Sequence, residues 1–206
     1  MKLPNILLPV FSSLLLAMSA YAAGKGFTAD KSPTGVVVKH NGQPFAEYII
    51  AHANKPYLFP VYGPTGKPMT RAFPMQRVAG EVLDHYHHRG ILFGHEDING
   101  FNSWLERGTA VGDTPDDKLD EKQTAALTQV MGKLGFIKHI AFTEIKADAK
   151  QAVIVTENVY ENSKGEKSVT EIRTLTFRVE GGTRLIDWDQ EFIAKDGEVK
   201  FGDAKD

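Results

Sequence analysis

The fold is decided by the stretch Ser168-Val-Thr-Glu-Ile-Arg-Thr-Leu-Thr-Phe-Arg-Val-Glu180. Its residues follow a mostly two-residue period, which is typical of a β-strand that exposes one face and buries the other. The stretches 136–145, 151–160 and 184–194 also have strand character, and turn residues such as Gly181-Gly182 separate them. Long strands joined by short turns predict an antiparallel meander, and therefore an all-β protein built as an antiparallel β-sandwich.

A second β-rich region precedes this meander. The runs 35–39 and 45–50 flank Asn41-Gly42, which is the strongest short hairpin signal because both residues tolerate positive φ. Residues 55–62 are extended and limited by prolines, which suits the edge of a sheet. Between the two regions, Thr114 before Pro115 indicates either a short helix that Thr114 caps or a mobile acidic excursion.

The first residues have the pattern of a secretory signal peptide. Lys2 supplies a positive charge, a short apolar run follows, and Ala20 and Ala22 stand at the −3 and −1 positions of a cleavage site. We therefore expect a signal peptide over residues 1–22, a single β-sandwich domain over residues 23–206, and a periplasmic or secreted protein.

The overall composition argues against several classes of function. The chain has a formal net charge of −2 and no basic block, so nucleic acid is not an expected partner. It has no cysteine, which rules out disulfides and zinc–thiolate sites. No stretch after the signal peptide is long and apolar enough to span a membrane.

The densest polar cluster runs from Asp84 to Trp104. It holds four of the seven histidines, and histidine titrates near neutral pH, binds metals and forms hydrogen bonds with sugars. The candidate acid–base residues are these four histidines: His85, His87, His88 and His95. The candidate substrate-binding residues are an arginine, an aspartate, an asparagine and a tryptophan: Arg89, Asp97, Asn99 and Trp104.

Three interpretations of this cluster are open. The first is a sugar pocket, in which histidines and carboxylates carry protons, Arg89 clamps an anionic or hydroxyl group and Trp104 stacks on the ring. The second is a divalent metal on His and Asp, although the glutamate that would follow His85-Tyr-His87 at cupin spacing is missing. The third is a polar network that only stabilises the fold.

The cluster also has an expected geometry. In an extended chain, His85 and His87 would share one face and His88 the opposite one. The apolar residues between Gly90 and Gly94 predict a buried strand. We expect residues 85–99 to line one concave surface, with at least two histidines in a shared pocket, because unpaired buried polar groups would be costly.

The cluster resembles the signature of a family of exported bacterial proteins. The segment Asp84-His-Tyr-His-His-Arg-Gly-Ile-Leu-Phe-Gly-His-Glu-Asp-Ile-Asn-Gly100, followed by Trp104, is similar to the motif of the uncharacterised PmoA-like family. Tyr86 stands where that family usually has proline, Leu92 where it often has tryptophan and Glu96 where it has glycine. Further likenesses occur in five short segments: 55–57, 60–61, 70–71, 184–187 and 201–203.

The resemblance implies a supersandwich like that of galactose-mutarotase-like proteins and a link to carbohydrate catabolism. It does not imply the methane oxygenase chemistry of the family's name, because membrane-bound methane oxygenase subunits cross the bilayer repeatedly. Family members usually continue beyond the Gly-Asp step at residues 202–203, so the resemblance also implies that this chain is truncated at its C-terminus.

The sequence as a whole predicts an exported carbohydrate-related protein. Its ligand is expected to be a sugar or sugar acid, with His/Asp acid–base catalysis of the epimerase, lyase or hydrolase type if it is an enzyme. No cofactor is predicted. The alternatives are an oxygenase-like enzyme with a divalent metal on His and Asp, and a non-catalytic binding or scaffold protein.

Overall fold

The computed structural model describes residues 25–195 and 197–204, so the predicted signal peptide lies outside the described residues. Two antiparallel sheets dominate this part of the chain. The first contains, side by side in chain order, β1 (Phe27–Lys31), β2 (Gly35–His40), β3 (Gln43–Ile49), β4 (Tyr57–Val61) and β5 (Ile91–Leu92). The second contains, in the same manner, β6 (Gly135–Ala147), β7 (Gln151–Asn162), β8 (Lys167–Glu180) and β9 (Thr183–Ile193).

The helices lie between the two sheets in the sequence. They are α1 (Arg107–Val111) and α2 (Glu121–Lys133), with a 3-10 turn at Asp116–Lys118. Of the two alternatives from the sequence, the helix is present, but α2 begins after Asp120 and not at Thr114, because Asp120 and Gln123 cap each other reciprocally. No helix in the described part of the chain is both long and apolar enough to cross a membrane.

The predicted β-sandwich is confirmed. Apolar side chains from both sheets form one core, which includes Val36, Phe45 and Leu58 of the first sheet and Ile154 and Phe177 of the second. The predicted hairpin turn is also present, since Asn41 and Gly42 have φ angles of +50° and +74° and connect β2 to β3.

A buried ion pair lies inside the sandwich. On β8, Nε and Nη2 of Arg173 donate to the two carboxylate oxygens of Glu171 at 2.6 and 2.9 Å, and neither side chain is exposed. Tyr160 donates a hydrogen bond of 2.8 Å to Glu171, and Arg173 donates one of 3.2 Å to the Tyr48 hydroxyl. Because these charges are paired, the strand can direct two charged residues inward without leaving either uncompensated.

The short strand β5 differs from the buried strand predicted over 90–94. It pairs with β4 at only two positions, and Ile91 is 40% exposed. Gly90 has a φ of +62°, and a Cβ at this position would lie 2.1 Å from the Leu58 carbonyl oxygen. The chain therefore turns tightly against β4, and Ile91 lies on an exposed edge instead of entering the core.

A long connection covers the remaining part of the second sheet. Ile98, with Phe93 and Val199, packs in a second apolar cluster on Ile137, Tyr160 and Val169. This cluster fixes the segment that follows β5, and with it the position of the polar residues on both sides.

Candidate functional site

A turn brings three histidines together. The His88 amide donates a hydrogen bond of 2.9 Å to the His85 carbonyl oxygen, and His85 itself has a φ of +49°. The rings of His85 and His88 are stacked with centroids 4.8 Å apart, whereas an extended chain would have separated them. The His87 ring lies edge-on to His88, with a centroid distance of 4.5 Å.

Trp104 completes this cluster from a distant position in the sequence. Its ring centroid is 5.6 Å from those of His87 and His88. The four rings adjoin a cavity of about 650 Å³. The cavity is lined by basic, aromatic and aliphatic residues: Arg71, His85, His87, His88, Gly90, Ile91, Leu92 and Trp104.

An aspartate and an arginine support His85. The Asp84 carboxylate lies 2.9 Å from Nδ1 of His85, and its other oxygen accepts a hydrogen bond of 3.3 Å from Arg71. Desolvation raises the pKa of Asp84, but the hydrogen bonds and charges of His85 and Arg71 outweigh it, so the pKa lies below its ordinary value. The carboxylate therefore stays ionised and holds His85 by Nδ1, which leaves Nε2 as the ring nitrogen suited to exchange a proton with a ligand.

Helix α1 positions His87. Nδ1 of His87 is 3.1 Å from the Thr109 hydroxyl, which also accepts a hydrogen bond of 3.2 Å from the Glu106 amide. Glu106 and Thr109 thus form the capping box of α1, and the same hydroxyl that caps the helix orients the imidazole. His87 is buried except for 7% of its surface.

A buried charge network lies beside the cavity. Glu106 accepts from Nε of Arg89 at 2.9 and 2.8 Å and from Lys55 at 3.2 Å. The Lys55 ammonium also donates to the Trp104 carbonyl oxygen at 2.9 Å and to the Asn54 side chain at 2.8 Å. Burial lowers the pKa of Lys55 to about 8, although Glu106 opposes the shift. Through these bonds Lys55 fixes the backbone that carries Trp104.

The structure separates the other predicted site residues from the cavity. Arg89 does not line it, because its guanidinium contacts Glu106 instead. His95 accepts a hydrogen bond of 3.0 Å from the Asp97 amide and contacts the Phe201 ring. The Asn99 side chain accepts one of 2.7 Å from the Lys200 amide.

The predicted single concave surface over residues 85–99 is therefore wrong, although the prediction of a pocket shared by at least two histidines is confirmed. Asp97 lines a separate cavity of about 440 Å³. In the described part of the chain, Asp97 and Asn99 form hydrogen bonds with the segment 198–202, and the His95 ring contacts Phe201 of the same segment. Their role as site residues stays a prediction.

Sequence reasoning missed Arg71, Ile91 and Leu92 as cavity residues. Arg71 belonged to one of the short family likenesses, and no charge pattern around it indicated a site. Ile91 and Leu92 were assigned to the core because apolar residues on a short edge strand have the same appearance in sequence as buried ones.

No group of three or more His, Cys, Asp or Glu side chains in the described ranges has an arrangement that could hold a metal ion. The metal-dependent alternative stays a prediction.

A family model described as "Family of unknown function (DUF6807)" matches residues 35–206, a range that includes every residue lining the histidine cavity. No curated protein and no solved structure matches the chain.

Proposed function

Since the chain belongs to the DUF6807 family, a family of unknown function, we propose from the cavity itself that the protein binds a carbohydrate, a sugar or sugar acid, between Trp104 and the three histidines. The observation that carries this proposal is the combination of one tryptophan, three imidazoles and one arginine around a single cavity. The resemblance of residues 84–100 to the PmoA-like family supports the same conclusion.

The size and lining of the cavity fit a small sugar. A volume of about 650 Å³ is within the range of small-molecule sites, roughly 300–1,000 Å³. A sugar presents apolar C–H faces and polar hydroxyls together. Trp104, Ile91 and Leu92 offer apolar surface to the former, and imidazole nitrogens offer hydrogen bonds to the latter.

The pair of Asp84 and His85 is suited to proton transfer. An imidazole held at Nδ1 by a carboxylate presents Nε2 in a fixed orientation, and imidazole is a side chain that can both accept and donate a proton in general acid–base catalysis. Proton transfer at a sugar carbon or oxygen is the step that epimerases, lyases and hydrolases share. We assign His85 the role of acid–base group, with Asp84 as its positioning residue.

The proposal includes the cellular location of the protein. The signal-peptide pattern of residues 1–22 supports a protein that acts in the periplasm or outside the cell.

Calorimetric titration with a panel of neutral and acidic mono- and disaccharides tests the proposal. We expect at least one member of the panel to bind, and we expect His85→Ala and Trp104→Ala to weaken its binding at least about 10-fold, equivalent to about 1.4 kcal/mol. His52→Ala is the matched control, because His52 is an exposed histidine that does not line this cavity. Absence of binding across the panel, or equal weakening by His52→Ala, contradicts the proposal.

A further inference from the structure

We infer that the cavity selects a sugar that carries a carboxylate and that Arg71 contacts this carboxylate. The sugar part of this inference rests on the proposed function. The carboxylate part rests on the charges and hydrogen-bond donors around the cavity.

In the described part of the chain, the hydrogen bonds of Arg71 occupy only some of its N–H groups. A guanidinium carries five N–H groups. Nη2 of Arg71 donates to the carbonyl oxygens of Val82 and Asp84 at 2.7 and 3.0 Å, and Nη1 donates to the Asp84 carboxylate at a long 3.3 Å. These bonds fix the orientation of the guanidinium, but they use only three of its five N–H groups. Within residues 25–195 and 197–204, Nε–H and one N–H of Nη1 form no hydrogen bond, so we assign them to a ligand.

The comparison with Arg89 shows why Arg71 has this role. Arg89 directs Nε to both oxygens of the buried Glu106 carboxylate and does not line the cavity. Arg71 lines the cavity, and 29% of its side chain is exposed. The anion clamp that the sequence assigned to Arg89 therefore belongs to Arg71.

Histidines add positive charge to the cavity when they are protonated. Among the described residues, those that line the cavity include no carboxylate, and the nearby Asp84 balances a single charge. With the ring centroids of His85, His87 and His88 4.5–5.8 Å apart, two protonated imidazoles would repel each other. A carboxylate beside these rings offsets that repulsion, so its binding favours their protonation.

Because carboxylate binding and imidazole protonation favour each other, the affinity for a sugar acid should depend on pH. Among the described residues, the polar groups that contact the cluster include Arg71 and Asp84 from the preceding loop and the Thr109 hydroxyl of α1. Histidine is the side-chain type whose charge changes most readily near neutral pH, and three histidines line this cavity. A sugar acid should therefore bind more tightly at pH 6 than at pH 8, whereas the matched neutral sugar should not gain.

The experiment compares matched sugar pairs on the full chain by calorimetry. The pairs are glucuronate with glucose and galacturonate with galactose, at constant ionic strength. We expect the acidic member to bind at least 10-fold more tightly in one pair, and we expect Arg71→Gln to abolish this preference. Arg77→Gln should preserve it, because Arg77, like Arg71, lies over the Phe73 ring but pairs with Asp113 outside the cavity.

Other outcomes separate the two proposals. Equal affinity for both members of each pair overturns the carboxylate inference and leaves the sugar proposal intact. Acetate that binds as tightly as the uronates contradicts the sugar proposal and retains an anion site. If Arg71→Gln weakens the binding of the acidic and the neutral sugar equally, the role of Arg71 is overturned. If no sugar binds to the wild type, both proposals are overturned. If Arg71→Gln does not fold, Arg71→Lys decides, since it keeps the charge and should keep a reduced acid preference.

Discussion

At the scale of single residues, the conformation of His85 is the most informative feature of the cavity. Left-handed φ is uncommon outside glycine and costs of order 1 kcal/mol or more for a bulky side chain. His85 adopts it at +49°, and the conformation places its ring on His88 and its Nδ1 against Asp84. Strained residues of this kind concentrate at functional sites, which agrees with the acid–base role proposed for His85.

Asp84 should contribute to stability in a pH-dependent manner. A carboxyl whose pKa is lower in the folded than in the unfolded state stabilises the fold above the unfolded pKa, and this stabilisation is lost as pH falls through the folded pKa. We therefore expect the stability difference between wild type and Asp84→Asn to be present above about pH 5 and to be lost as pH falls below about 4. Urea unfolding across this range measures it, with the exposed Asp203→Asn as control. A difference that persists unchanged at pH 3 contradicts the assignment.

Gly90 should be far less replaceable than Gly80. Both have left-handed φ angles, but a Cβ at Gly90 would lie 2.1 Å from the Leu58 carbonyl oxygen, while a Cβ at Gly80 would meet nothing within 4 Å. Gly80→Ala should cost about 1–2 kcal/mol of unfolding free energy from conformation alone. Gly90→Ala should cost at least about 2 kcal/mol more, because β4 must move. Equal losses in denaturant unfolding would show that the close approach to β4 is unimportant.

At the scale of elements, the segment that enters α1 links the cavity to the buried interior. Thr109 and Glu106 cap the helix, and Thr109 also contacts His87 while Glu106 binds Arg89 and Lys55. Lys55 in turn binds the Trp104 carbonyl oxygen. The N-terminal end of α1 therefore positions both His87 and Trp104, which line the same cavity.

Lys55 should make stability rise with pH in mildly alkaline solution. Its folded pKa of about 8 is below the ordinary value of 10.5, so the unfolded chain binds more protons in between and stability increases as pH rises through that window. From pH 8 to 9.5 the gain should be about 1–2 kcal/mol. Denaturant unfolding of wild type and Lys55→Met measures it, and the variant should lack the rise. An equal rise in Lys55→Met would assign it to another group.

At the scale of the whole molecule, the sheets were predictable and the cavity only in part. The strands of the second sheet follow from an alternation that one buried face imposes over long runs, and the β2–β3 hairpin follows from Asn41-Gly42. The proximity of the histidines does not follow from the sequence, because the pattern does not reveal the left-handed φ of His85. Arg71 was missed because tertiary structure alone brings its loop to the turn.

The interior of the sandwich should depend strongly on its buried ion pair. Arg173→Met leaves Glu171 buried without its cation, which should cost about 3–5 kcal/mol of unfolding free energy. Arg178→Met on the same strand removes a partly exposed pair with Asp187 and should cost less than about 1 kcal/mol. Chemical unfolding of both variants checks the contrast. Similar small losses would mean that Glu171 is accommodated without Arg173.

The most direct test of the central claim is an NMR titration of the seven histidines with the sugars that bind in calorimetry. If the cavity beside Trp104 is the carbohydrate site, the ring signals of His85, His87 and His88 should shift in proportion to bound sugar, while those of His40, His52, His95 and His139 stay in place. Shifts confined to His95, or saturable binding that leaves the three clustered histidines unmoved, would contradict the account.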